Sequence, residues 1–179
     1  MTHPLDLALV RAAQSRASGF LDSVSNVLST AGSWEVMGAL LLLVISGLFF
    51  TGRRRVAGRL IIAFLATGLV EFTLKTFLPV PPIPQALGRS EDFAPLLAVK
   101  YPYPYPSGHL LRSVIVLGSV YLWSGSRALG IVFALYLMCM VASRVYLGVH
   151  WPSDVIGGIL LGIAALAWTF RDSSKGESG

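Results

Sequence analysis

Long apolar runs separated by short polar breaks dominate this chain. Five runs stand out, at about 34–51, 56–78, 107–123, 128–149 and 152–170. Each approaches the ~20 residues that an α-helix needs to cross the hydrocarbon core of a bilayer. In lipid, backbone polar groups must be satisfied within the spanning structure, so all five runs are predicted to be helices. The stretch 4–30 has a different texture. Phe20, Leu21, Val24, Val27 and Leu28 fall on one helical face, while Arg11, Arg16, Asp22, Ser25 and Asn26 interrupt any continuous run. That spacing predicts one amphipathic helix, lying in the membrane interface or packed on the outer ends of the spans. The expected fold is all-α: a polytopic membrane helix bundle over 34–171, with five transmembrane helices plus the N-terminal amphipathic helix, in a single domain over 1–179.

Composition agrees with lipid as the solvent. Apolar residues make up 54% of the chain and charged residues 13%, against about 25% charged in an average soluble domain. Mean hydropathy is +0.69. The formal net charge of +5 does not point to nucleic acid, because the cations are grouped. Arg53, Arg54, Arg55 and Arg59 sit between two apolar runs, and Arg127, Arg171 and Lys175 fall on the same side of the bundle. On the other side, Arg89 and Lys100 are offset by Glu91 and Asp92. Cytoplasmic loops carry the excess of Lys and Arg. The chain is thus expected in a bacterial plasma membrane, with its C-terminus cytoplasmic and the 79–106 loop outside. The first residues lack the basic start and sustained apolar run of a cleavable signal.

The outer loop holds eight of the ten prolines and closes on Tyr101-Pro102-Tyr103-Pro104-Tyr105-Pro106. Proline fixes φ and removes a donor, which makes the loop extended and stiff. Its tyrosines suit the membrane boundary, as anchors or as a rim that places the residues after it. Cys139, alone in an apolar run, reads as a small packing residue. Gly158 and Gly162 form a small-xxx-small pair for helix packing.

Ionisable residues near spans are expensive, and an intramembrane charge defaults to a functional site. Glu71, Lys75, His109, Arg112, Arg144, His150 and Asp154 all fall in the outer half of the predicted bundle. Pro106-Ser107-Gly108-His109 opens the third span. Ser143-Arg144 is followed by five residues, then His150, then three residues, then Asp154. On these two motifs, about 35 residues apart, the chain resembles the type 2 phosphatidic acid phosphatase superfamily, which includes the vanadium haloperoxidases. The family's PSGH motif matches residues 106–109. Its SR, five residues, H, three residues, D motif matches residues 143–154. The resemblance runs from about residue 15 to the end.

The residue types fit phosphoryl chemistry. Ser107 and Gly108 lie at a helix N-terminus, where backbone N–H groups and the helix dipole favour anions. Glycine there permits close approach to the backbone. Arg144 offers a planar fork for two phosphate oxygens. His150 is placed as nucleophile, Asp154 as the carboxylate that fixes its tautomer, and His109 as general acid and then base. The resemblance implies these roles and a phosphohistidine intermediate. It implies no metal or cofactor, and no Cys/His cluster here has metal-ligand spacing. The expected partners are a lipid phosphate substrate and membrane lipids, with no nucleic acid.

One motif departs from the family, whose first signature is a lysine, six residues, then Arg-Pro. Lys75 supplies the lysine, but Pro82 stands where the arginine belongs. Arg112, on the face of His109, is the candidate replacement for binding phosphate, or else the ion-pair partner of Glu71. Arg89 and Lys100 are further candidates if the loop folds over the site. Three functions follow: hydrolysis of a lipid phosphate or pyrophosphate at the outer face, binding of such a lipid with weak or no turnover, and transport. The few helices and the lack of repeats disfavour transport.

Overall fold

The structure is a computed structural model that describes residues 4–89 and 101–171. Glu91, Asp92, Pro95, Lys100 and Lys175 lie outside the described residues. Seven α-helices and one 3₁₀ turn (Gln85–Leu87) make up the regular structure of the described residues. The helices are α1 (Pro4–Gln14), α2 (Gly19–Ala31), α3 (Trp34–Phe50), α4 (Arg54–Phe77), α5 (Gly108–Ser124), α6 (Arg127–Tyr146) and α7 (Pro152–Phe170). The five apolar runs correspond to α3–α7, with ends within three residues of those predicted.

Local chemistry explains the boundaries. Ser33 and Ser126 cap α3 and α6, their hydroxyls accepting from Val36 N and Leu129 N. Such caps satisfy donors that a helix start leaves orphaned. Gly125 ends α5 in the left-handed region at φ +64°, where glycine carries no Cβ penalty. Pro152 opens α7, where its missing N–H goes unneeded.

One expectation needs correction. The stretch 4–30 is not one helix, because Ser18 adopts an extended φ of −152° and caps a new helix through Leu21 N. By length and composition alone, not all of α3–α7 are long and apolar enough to cross a membrane. Among the described residues α4, α6 and α7 are, and the α2–α3 pair, bent by 43°, makes a fourth when read as one broken span. Helices α3 and α5 have 17 residues each, about 25 Å of rise against a core of about 30 Å.

The bundle is arranged around α5. Ten of its residues are buried, from Gly108 to Ser119, and it packs on α3, α6 and, most extensively, α7. Leu48, Leu60, Leu111, Ile115 and Val116 form one core; Val10, Leu110, Met140, Trp151 and Val155 form a second nearer the site. Lipid-facing surfaces stay apolar, with Leu42, Leu43, Leu65, Leu69 and Val132 all well exposed. Helices in lipid gain little from hiding apolar surface, so close packing through small residues must hold them. Gly158 and Gly162 do this. A Cβ at Gly158 would overlap the Ser107 carbonyl, 3.2 Å from its carbon, and one at Gly162 would lie 2.7 Å from Val114 Cβ.

Helix α2 is inverted relative to a soluble amphipathic helix. Phe20 and Val27 are 76% and 71% exposed, while Ser25 and Ser29 are buried. The polar stripe faces the protein. Ser143 Oγ donates to the Ser25 carbonyl at 3.1 Å, and Tyr146 Oη to Asp22 Oδ1 at 2.7 Å.

The glycine contacts give a stability test. Gly158→Val should destabilise the bundle by about 1–3 kcal/mol or more, because backbone blocks the new side chain. Gly38→Ala meets open space and should leave stability unchanged or raise it by up to ~1 kcal/mol. Thermal midpoints in one detergent check both.

Candidate functional site

Four segments meet at one end of the bundle. They are the last turns of α4, the start of α5, the end of α6, and the α6–α7 junction. Helix geometry puts Glu71 and Lys75 one turn apart on the same face of α4, and both are buried. Glu71 Oε1 lies 3.4 Å from Lys75 Nζ, and its Oε2 accepts from Arg112 Nη1 at 3.0 Å. One carboxylate thus serves two cations from two helices. The Arg112 guanidinium also stacks 4.1 Å over the Trp34 ring, and Lys75 Nζ lies 5.0 Å over Tyr101. Both contacts place a cation on an aromatic face.

Gly108 makes this arrangement possible. A Cβ there would overlap the Glu71 carboxylate, 2.6 Å from its carbon and 2.7 Å from Arg112 Nη1. The space beside the PSGH glycine therefore belongs to the ion pair. Ser107 precedes α5, fully buried, its N–H donating to the Asp154 carbonyl at 2.9 Å. Its hydroxyl has no hydrogen-bond partner. A buried polar atom without a protein partner is rare in native proteins.

The α6–α7 junction carries His150 and Asp154. Gly148 turns the chain at φ +65°, and a Cβ on it would collide with the Leu87 carbonyl. Arg89 N donates to the Leu147 carbonyl at 2.9 Å, and Trp151 Nε1 to the Pro81 carbonyl at 2.8 Å. The proline-rich loop is in this way stitched to the junction. Asp154, fully buried, accepts from Trp151 N at 2.8 Å through Oδ2. The same oxygen lies 3.5 Å from His150 Nδ1, which makes no hydrogen bond. The Asp154–His150 pair is aligned but not closed. Burial, then the charges of Arg144, Lys75 and Arg112, lower the His150 pKa well below the ordinary histidine value, while the backbone hydrogen bond with Pro104 raises it. Burial thus favours the neutral imidazole of His150. Burial is also the main cause that raises the Tyr101 hydroxyl above its usual range.

His109 completes the group, with Arg144, Arg112, His150 and Lys75 all within electrostatic reach of its ring. The structure thus brings together Lys75, Ser107, Gly108, His109, Arg112, Arg144, His150 and Asp154. It does not bring in Arg89, whose guanidinium makes a bidentate pair with Asp22 at 2.5 and 2.7 Å. That pair ties the segment after α4 to α2. Pro82 is exposed and contributes no charge.

The sequence pattern did not single out the roof. Arg144 Nη1 donates to Ser29 Oγ, Trp34 covers Arg112, and Gly32 lies against His109. Asp22, Ser25, Ser29 and Gly32 recur at helical spacing, a polar and small stripe opposite Phe20 and Val27. That stripe was the available signal.

With this geometry in place, likeness to known proteins becomes informative. Residues 56–177 match the PAP2 superfamily, and the chain belongs to that superfamily. Phosphatidylglycerophosphatase B of Bacillus subtilis (strain 168) is 26% identical over 168 residues, covering 88% of this chain and 78% of that protein. An undecaprenyl-diphosphatase of Sulfolobus acidocaldarius is 44% identical over 61 residues. That match covers 34% of this chain, and the chain spans 29% of that relative's length. The crystal structure of Aquifex aeolicus LpxE superposes with a TM-score of 0.74 at 25% identity, covering 95% of this chain and 97% of that one. The seven-helix arrangement, its membrane character and the two motifs are thus those of an integral membrane protein of this superfamily.

The Glu71–Arg112 pair makes a direct prediction. Breaking a buried pair strands a charge and costs about 3–5 kcal/mol, whereas replacing both partners by apolar residues is often near neutral. Glu71→Leu alone should lower stability strongly, and Glu71→Leu with Arg112→Met should recover most of the loss. A double-mutant cycle on thermal unfolding should return a coupling above ~1 kcal/mol. Additive effects would show that the two residues are not coupled.

Proposed function

We propose that this protein is a lipid phosphate phosphatase that hydrolyses a phosphate monoester or pyrophosphate of a membrane lipid through a phosphohistidine. The observation that carries the reading is the convergence of His150, Asp154, His109 and three buried cations in a member of the PAP2 superfamily. In this reading Lys75, Arg144 and Arg112 hold the equatorial phosphoryl oxygens, with backbone N–H groups at the start of α5 and the Ser107 hydroxyl. Developing charge is stabilised by donors already in place. His150 Nε2 attacks phosphorus while Asp154 holds Nδ1–H. The bond from phosphorus to the leaving oxygen breaks, and His109 gives that oxygen its proton. Water then attacks the phosphohistidine, His109 takes the proton back, and phosphate leaves with His150 restored.

Arg112 takes the part of the first-motif arginine that Pro82 replaces. Its pairing with Glu71 does not prevent this, because its Nε is buried without a hydrogen-bond partner. The exposed Pro82 favours one alternative, lipid-phosphate binding without turnover. Phosphate release separates the two readings. We place the site on the extracytoplasmic face of a plasma membrane, with five spans formed by α3–α7. The undecaprenyl-diphosphatase and phosphatidylglycerophosphatase relatives support a lipid pyrophosphate or phosphatidylglycerol phosphate as substrate.

His150→Ala should abolish phosphate release from a lipid phosphate panel, and Asp154→Asn should slow it strongly with folding intact. Arg112→Ala should lower kcat/KM by more than about tenfold, ~1.4 kcal/mol of transition-state stabilisation. Vanadate, which adopts five-coordinate geometry, should inhibit, and chelators should not. Wild-type turnover by His150→Ala would refute the covalent mechanism.

Topology is checked separately. In a Cys139→Ala background, a cysteine at Arg54 should react with an impermeant maleimide only from the cytoplasm, and one at Gln85 only from outside. The opposite labelling would put the site on the cytoplasmic face.

A further inference from the structure

An apolar groove of about 300 Å³ runs down the lipid-facing side of the bundle between α3 and α6. Its floor is Leu117, Val120 and Tyr121 of α5; Leu40 and Val132 stand among its walls. At its upper end are Ala31 and Val36, on either side of the α2–α3 elbow. The same elbow roofs the site, with Gly32 against His109 and Trp34 against Arg112. Gly32 of that elbow packs against Met140 and His109. A Cβ on Gly32 would lie 2.7 Å from Met140 Cε and 3.0 Å from His109 Cδ2, so the Met140 methyl and the histidine ring converge on one point. Met140 is fully buried, and Tyr136, one turn below it on α6, lines the groove. Methionine is unbranched and adapts its shape readily.

We infer that this groove holds one hydrocarbon chain of the lipid whose phosphate sits among Lys75, Arg112 and Arg144, with Met140 as the movable partition at the junction. The inference rests on the lipid phosphatase reading of the site and adds where the tail lies. Three observations carry it. The groove is continuous with the elbow that walls the site. It runs along the axis of α5, parallel to the direction a lipid chain takes from an outer-face headgroup. Its lining is apolar apart from the hydroxyls of Tyr121 and Tyr136, the latter hydrogen-bonded to Ser113 Oγ at 3.3 Å. A second apolar groove, between α1, α2 and α6, includes Leu21, Val24 and Cys139. Where Ser25 and Ser143 line that groove, the Ser143 hydroxyl donates to the Ser25 carbonyl.

Val120 lies eleven residues beyond His109 on α5, roughly 16 Å along the helix, too far to touch the reacting atoms. Val120→Trp fills the groove. With the purified full chain, this variant should raise KM for oleoyl lysophosphatidate more than about tenfold, while kcat/KM for p-nitrophenyl phosphate stays within about twofold. An equal loss on both substrates, or no change on either, would overturn the assignment. Absence of phosphate release from both substrates by the wild type would instead defeat the phosphatase reading, and a binding measurement then still decides the groove. A lysophosphatidate carrying a diazirine in its acyl chain should crosslink to Leu117, Leu129 or Val132, mapped by mass spectrometry. Crosslinks at Leu21, Val24 or Cys139 would place the tail in the other groove and refute the proposal.

Discussion

The sharing of one buried carboxylate by two cations governs this end of the molecule. Removing three charges from water costs several kcal/mol per ion before any attraction is counted. Glu71 offsets part of that for Lys75 and Arg112 at once, from 3.4 and 3.0 Å. It can do so only because α5 begins with a glycine at 108, whose missing side chain leaves room for the carboxylate. The start of α5, the end of α4 and the aromatic faces of Trp34 and Tyr101 then fall into place around the pair. Cations that would repel one another in isolation are held together there.

The rest of the bundle presents that cluster. Glycines at 158 and 162 let α7 approach α5 closely enough for the Asp154 carbonyl to accept from Ser107 N at 2.9 Å. The two motifs, separated in sequence by the passage down α5 and back along α6, are therefore joined by a direct backbone bond. Gly148 and the carbonyls of Leu147 and Pro81 fix the loop that carries His150. Stiff backbone supplies what a site of this kind needs, since a misplacement of 1 Å can cost a hundredfold in rate.

Much of this was legible in the sequence, for physical reasons. Helices α3–α7 were readable because lipid demands uninterrupted apolar runs, and their ends coincide with Ser33, Ser126, Gly125 and Pro152. The gathering of Lys75, His109, Arg112, Arg144, His150 and Asp154 was readable because ionisable groups near spans are costly without a shared purpose. The break at Ser18 was not, since the amphipathic pattern of 4–30 continues across it. Nor was the inward turn of Ser25 and Ser29. In an aqueous protein the same pattern would put Phe20 and Val27 inside, and only the lipid surroundings reverse the choice. Arg89 illustrates a further limit. Its charge made it a candidate clamp, but its partner is Asp22, 67 residues away in sequence, a distance over which no local spacing rule operates.

The inverted helix α2 has a consequence for handling the protein. Its inner side is held by hydroxyl and carboxylate contacts, including the one from Arg144 to Ser29, and its outer side by whatever amphiphile surrounds it. In water alone, Phe20 and Val27 would be driven toward the interior and would compete with the serines for the same space. The shape of the roof is therefore a joint property of the polypeptide and its belt of lipid or detergent. Two preparations with identical chains and different micelles are, at this site, two different materials.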